Sequence, residues 1–284
     1  MIQSYREPGT QTRTVTATQL LMSTRFKCRN YQGAMGSMES NVTTLGICQE
    51  DARAECLLKS NEAYADLQRV FLRSFNVFND AMQGIWNNYE LMTDQSEGGV
   101  HRIIAGSGDE GVREREIFES ILSVVSVSLT PIKRMIFEGS YVSACVLLRN
   151  SVEATIQLRK VLEGQYKTGE IGRISKEDER IRKIYGEITG LAHLSNDVFL
   201  SDVTKGHSAN QNHELLTPMF RVLTPQFNFG LGQALFALHI ICTVEAMSRI
   251  NMYFKTYIPQ KKLSEENLGQ LEKCRAAAWQ IFAD

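Results

Sequence analysis

Apolar residues recur at intervals of three and four through most of the chain, and this periodicity predicts helices wherever a pattern can be read. From Gln49 to about Met92, Leu57, Leu58, Ala65, Leu67, Val70, Phe71, Phe75, Phe78, Met82, Ile85, Trp86 and Tyr89 recur at three and four, which one long helix or two consecutive helices would satisfy. Val112 to Phe137 predicts the next helix, with Ile117, Ile121, Leu122, Val125 and Leu129 inward and Pro131 expected to bend it. Its β-branched run is also compatible with a strand, but its length and the opening charges Arg113, Glu114, Arg115 and Glu116 favour a helix. Tyr141 to Glu163 is apolar almost all the way round yet carries Arg149 and Glu153 within its apolar surface. A helix apolar on both sides belongs in the middle of a domain, so these two charges are expected where water is scarce and need hydrogen-bonding partners.

Beyond it, residues 164–175 form a polar loop with three glycines, and Ser175 is the expected N-cap of a helix that starts charged and becomes small and apolar near His193. Residues 196–226 are the least regular part, with LTP turns ending at Pro218 and Pro225. Thr224 reads as an N-cap with Pro225 at the first helical position of the last core helix, which runs to about Tyr257. A final amphipathic helix is expected from Ser264, with Leu271, Cys274, Ala278 and Ile281 inward.

The predicted fold class is therefore all-α: a multi-helix bundle with a long N-terminal helix or helix pair and an irregular segment before the last core helix. Residues 1–48, rich in Thr, Ser, Gln and Gly, read as a flexible polar extension. Residues 49–284 read as one helical domain, with the core bundle at 112–257 and the final helix at 264–282.

Composition narrows the chemistry. A formal charge of −1 gives no global signature of nucleic-acid binding, although it leaves room for a local basic patch. Six scattered cysteines without a CxxC read as free core thiols in a reducing cytoplasm. The longest apolar stretch, Phe227 to Met247, is interrupted by Asn228, Gln233, His239 and Glu245, which favours a buried helix over a membrane span. Gly106, Gly108 and Gly111 spell GxGxxG, but no βαβ unit surrounds them and Asp109 and Glu110 would repel a phosphate, so the segment reads as a connector. His207 and His213, near Asp202 and Glu214, lack a metal-site spacing, and neither a metal nor a cofactor is expected. His239, alone on an apolar helix, reads as a core residue.

One polar constellation remains. Tyr185, Thr189 and His193 are four apart and form a ladder on a continuous helix, with Ser195 just beyond. They are the kind of partners that Arg149 and Glu153 require. His193 can exchange a proton near neutral pH if poised by Glu153, and Arg149 can hold a phosphate or carboxylate.

The pairing of LLRNSVEATIQLRKVLE with YGEITGLAHLS, followed by an LTP turn and a small-residue helix, resembles an uncharacterised bacterial branch of the HEPN-like helical proteins. The resemblance covers about Val112 to Lys255 and is carried by Arg149, Glu153, Tyr185, His193 and Ser195. It implies an α-helical, cytoplasmic protein from a mobile-element or defence setting, forming a homodimer and binding RNA or a nucleotide. The catalytic ribonucleases of that family place His four to six residues after Arg. Here the nearest arginine before His193 is Arg182, eleven residues away, so catalysis would require Arg149 and His193 to meet in space.

Three functions follow as expectations. The first is a dimerising binding or regulatory module with a buried pocket of Arg149, Glu153, Tyr185, Thr189, His193 and Ser195 for a nucleotide, RNA or small anion. The second is a metal-independent ribonuclease using His193 and Arg149. The third is a purely structural, partner-binding bundle.

Overall fold

The structure is a computed structural model that describes residues 38–90, 93–94, 101–102, 109–169, 179–192 and 225–282. Seven α-helices make up nearly all of these residues: α1 Met38–Ala63, α2 Ala65–Glu90, α3 Asp109–Phe137, α4 Tyr141–Leu162, α5 Glu179–Ala192, α6 Phe229–Tyr257 and α7 Glu265–Gln280. A two-residue antiparallel pairing of Thr93–Asp94 with His101–Arg102 is the one strand element among the described residues, and the fold is an all-α multi-helix bundle. The chain divides into two units, residues 1–51 and 52–284. In the first, the described stretch is the helical segment 38–51.

The N-terminal helical region comprises two consecutive helices, α1 and α2, that meet at Tyr64, whose N–H donates to the Ser60 carbonyl and whose carbonyl accepts from the Gln68 N–H. Pro131 lies inside α3, and Gly111, the last glycine of the GxGxxG stretch, falls in the first turn of that helix. Gly106, Gly108, the Ser175 cap and the 196–224 segment lie outside the described residues.

Within the second unit α6 is the hub. It packs against α2, α3, α4 and α7, while α5 lies on α4. The reason is in its composition: Leu235, Phe236, Ala237, Leu238, Ile240, Ile241, Val244, Ala246, Met247 and Ile250 are all buried, so almost every side of the helix meets another helix. By length and composition α6 and the Arg113–Phe137 part of α3 could each cross a membrane.

The start of α6 departs from the sequence expectation. Residues 225–228 are not helical, so Pro225 does not occupy the first helical position. Asn228 is the N-cap instead, and its side chain accepts from the Leu231 N–H at 3.0 Å. Two buried tyrosines hold that cap from its backbone. The Asn228 N–H donates to the Tyr141 hydroxyl at 2.9 Å, and its carbonyl accepts from Tyr64 and Tyr141, each at 3.2 Å. A local pattern cannot announce a cap whose backbone groups are satisfied by distant phenols. The Ser264 cap of α7 is as expected, accepting from the Asn267 N–H at 3.2 Å, and Leu271, Cys274 and Ala278 face inward.

His239 is a core residue. It is fully buried, and its Nε2–H donates to the Leu129 carbonyl at 2.9 Å. Burial pushes its pKa down to about 3, only partly opposed by that hydrogen bond, and the Lys133 ammonium acts in the same downward direction. The folded protein thus keeps the imidazole neutral where the unfolded chain protonates it, near pH 6.5. Between those values the unfolded state binds the extra proton, so this contribution is intact above about pH 6.5 and is lost as pH falls toward 3. Stability should drop by about 1.4 kcal/mol per pH unit across this window from this group alone. Urea denaturation at several pH values from 6.5 to 4 checks it: His239→Gln, which keeps a donor but does not titrate, should show a shallower slope than the wild type. Equal slopes would refute the assignment.

Candidate functional site

The Arg149 and Glu153 side chains sit one turn apart on α4, the i,i+4 spacing that lets them meet. The Arg149 Nε–H donates to Glu153 Oε1 at 2.9 Å. Tyr185 of α5 donates its hydroxyl to the same oxygen, so one carboxylate atom takes two donors from two helices. Three of the residues singled out on sequence grounds are thereby joined, Tyr185 lying 32 residues after Glu153.

Where this group sits differs from expectation. Arg149 and Glu153 are about a quarter exposed, at 25% and 24%. They stand at the rim of the bundle rather than in its interior. The cause is that α4 is not enclosed on every side: Ser143, Val146 and Asn150 form a solvent-facing strip beside the pair. The buried face of α4 is carried by Ala144, Cys145, Leu148, Val152, Thr155 and Leu158. The pair therefore does not carry the full desolvation cost of a buried ion pair.

The electrostatics define what the group can do. Burial, followed by the hydrogen bond to the Glu153 carboxylate, raises the Tyr185 pKa, while Arg149 and Thr189 oppose the shift. Tyr185 is thus a phenol at neutral pH, a donor rather than a base. The Arg149 guanidinium is held more firmly in its charged form by Tyr185 and then by Glu153. Thr189 adds a hydroxyl one turn beyond Tyr185. It lies close enough to influence the phenol, although its buried Oγ1 completes no hydrogen bond of good geometry among the described atoms. Together these residues present a fixed guanidinium with a phenol donor beside it, an arrangement suited to holding an oxyanion.

His193 and Ser195 lie outside the described residues, which end in α5 at Ala192. The structure brings together Arg149, Glu153 and Tyr185, with Thr189 alongside. Among the described residues no group of three or more His, Cys, Asp or Glu side chains could hold a metal ion.

A second polar cluster was missed from the sequence. Arg115, only 5% exposed, donates from Nε to the Tyr253 hydroxyl at 3.4 Å, and that hydroxyl donates to Glu119 Oε1 at 2.7 Å. Tyr257, one turn on, donates to Glu114 at 3.0 Å, and the Arg115 guanidinium lies over its ring. Burial raises the Glu119 carboxyl above the usual carboxylate range, with the Tyr253 hydrogen bond opposing it. Tyr253 also stacks on Phe118 at 4.6 Å. The cluster fastens the start of α3 to the end of α6. Tyr253 and Tyr257 at i,i+4, set against the Glu114, Arg115 and Glu119 run, were the available signal. At the other side of α6, Glu245 accepts from Arg249 and Arg275, which ties in α7.

No family model, curated protein or solved structure matches the chain.

Proposed function

We propose that this chain is a HEPN-like helical binding or regulatory module that dimerises and takes a phosphate-bearing ligand, an RNA end, a nucleotide or a small anion, at Arg149 and Tyr185. The observation that supports this reading is the rim position of the group. A guanidinium anchored by Glu153 and Tyr185 yet a quarter exposed can be reached by a ligand. A pair serving packing alone gains nothing from that access. Glu153 orients the donors; Arg149 supplies the charge and Tyr185 a neutral hydrogen bond.

Fluorescence anisotropy with a labelled single-stranded RNA, competed by ATP and by inorganic phosphate at low salt, tests the proposal. Arg149→Ala should weaken binding about tenfold or more, since a hydrogen bond to a charged group contributes about 1.5–3 kcal/mol. Tyr185→Phe should weaken it less, about threefold, as expected for a neutral hydrogen bond. Affinity should also fall as salt rises. No binding by the wild type, or equal binding by Arg149→Ala, would remove the proposal. RNA cleavage abolished by both His193→Ala and Arg149→Ala would replace it with the ribonuclease reading, which the continuation of the Tyr185, Thr189 spacing by one turn to His193 favours as the second choice.

A further inference from the structure

The helix α3 has two opposite stripes. Arg115, Phe118, Leu122, Val125, Leu129, Ile132 and Ile136 are buried against the bundle. On the other side Glu116, Ser120, Ser123, Val127, Thr130 and Arg134 are all exposed, as are Val124 and Pro131 next to them. The exposed stripe steps by four and three residues alternately, so its side chains line up along one side of the helix, where a second helix could lie against them. Val127 is 71% exposed and Val124 45%. Only 39% of the apolar window of this helix is buried, against 67% for α6.

The order of residues along the stripe says what covers it. Glu116 stands at one end beside the exposed Arg113, and Arg134 at the other beside Glu138, with small residues and Val127 between. Two copies of this helix laid antiparallel about a two-fold axis place Glu116 of each opposite Arg134 of the other. The same operation sets Ser120 opposite Thr130 and Ser123 opposite Val127. A two-fold contact must be complementary to itself, and this stripe is. Small hydroxyl side chains at its crossing permit close approach, and valines supply the apolar centre. Arg134 pairs with Glu138, one residue past the end of α3, at 2.7 Å, but its guanidinium is exposed and keeps further N–H donors for an incoming carboxylate.

We infer that the Glu116–Arg134 face of α3 is the surface through which two copies of this chain associate, as antiparallel neighbours across a two-fold axis. The inference deepens the dimerising part of the proposed function and rests on it; it does not depend on the ligand site at Arg149.

Sedimentation velocity on the full chain tests it, with far-UV circular dichroism melting as the check that each variant folds. The wild type should sediment at twice its 32.1 kDa mass. Val127→Glu, a change at an exposed position, should give monomer with unchanged helical content and a single cooperative melt. Glu116→Arg should weaken association about tenfold or more by setting like charges opposite each other, and adding Arg134→Glu should restore it. A wild-type monomer at tens of micromolar would overturn both this surface and the dimeric reading. A dimer that survives Val127→Glu would overturn the surface alone. A charge exchange that fails to restore association would overturn the antiparallel arrangement. A wild-type monomer that binds lipid vesicles through the same valines would assign the face to a membrane and overturn the inference.

Discussion

Truncating Phe236 to alanine is expected to lower the free energy of unfolding by about 3–5 kcal/mol, the range for removing a buried aromatic ring. Phe236 is fully buried on α6, the helix that the others pack around. Its ring meets Phe137 edge-on at 5.1 Å, Phe71 at 5.6 Å and Tyr64 at 6.4 Å, so the start of α2 and the end of α3 converge on it. The walls of the resulting cavity belong to ends of helices that are themselves fixed: Tyr64 by hydrogen bonds to the Asn228 and Phe229 carbonyls, Phe137 by the turn at Gly139. They cannot collapse inward, which places the cost high in its range. Against a typical domain stability of about 5–15 kcal/mol, such a loss leaves little. Urea unfolding at constant m value measures it, with Trp86→Ala as the comparison. Trp86 is 66% exposed, and its removal should change stability by about 0.5 kcal/mol or less. A loss under about 1 kcal/mol for Phe236→Ala would mean that the centre of the bundle is open enough to repack.

The same convergence explains what could be read in the sequence. The periodicity of α4 announced a central helix with Arg149 and Glu153 one turn apart, because helical spacing is local and side chains four apart must meet. Tyr185 as their partner was legible as well, since the Tyr185, Thr189 and His193 ladder offers hydrogen-bonding groups of the kind that a charged pair on an apolar helix requires. Their exposure was not legible. Whether a helix is sealed depends on its neighbours, and the opening beside Val146 and Asn150 is a property of how the other helices pack, not of the α4 pattern. The misplaced start of α6 has the same cause. Thr224 followed by Pro225 is a good local signal, but the backbone of Asn228 is satisfied by Tyr64 and Tyr141, 164 and 87 residues away. Tertiary contacts of that separation outweigh a cap worth about 1 kcal/mol. The Arg115, Glu119 and Tyr253 cluster was missed because its acceptors and donors lie on helices more than 130 residues apart, and each half alone reads as an ordinary charged or aromatic helix end.

Replacing Gly139 by alanine is expected to cost about 2–4 kcal/mol, from two separate sources. Gly139 joins α3 to α4 with φ +74°, a left-handed conformation that disfavours any residue with a Cβ by about 1–2 kcal/mol. The added methyl would also lie 2.9 Å from both the Cys56 Sγ and the Gln226 carbonyl oxygen. Cys56 is buried and Gln226 is backbone, so something must shift. That shift would be felt where α4 begins, because Tyr141 two residues on holds the N-cap of α6. Gly164 separates the two contributions. It has φ +65°, but a methyl added there would meet nothing within 4 Å, so Gly164→Ala should show only the conformational part, about 1–2 kcal/mol. Adding Cys56→Ala to Gly139→Ala removes one of the two obstructing atoms, so the double variant should be more stable than the sum of the single changes predicts. Urea denaturation of the four proteins, with Cys56→Ala as the remaining single change, gives the coupling. Equal losses at Gly139 and Gly164, together with strict additivity for Cys56 and Gly139, would show that the turn is not packed against α1 and that α4 is positioned by its long faces alone.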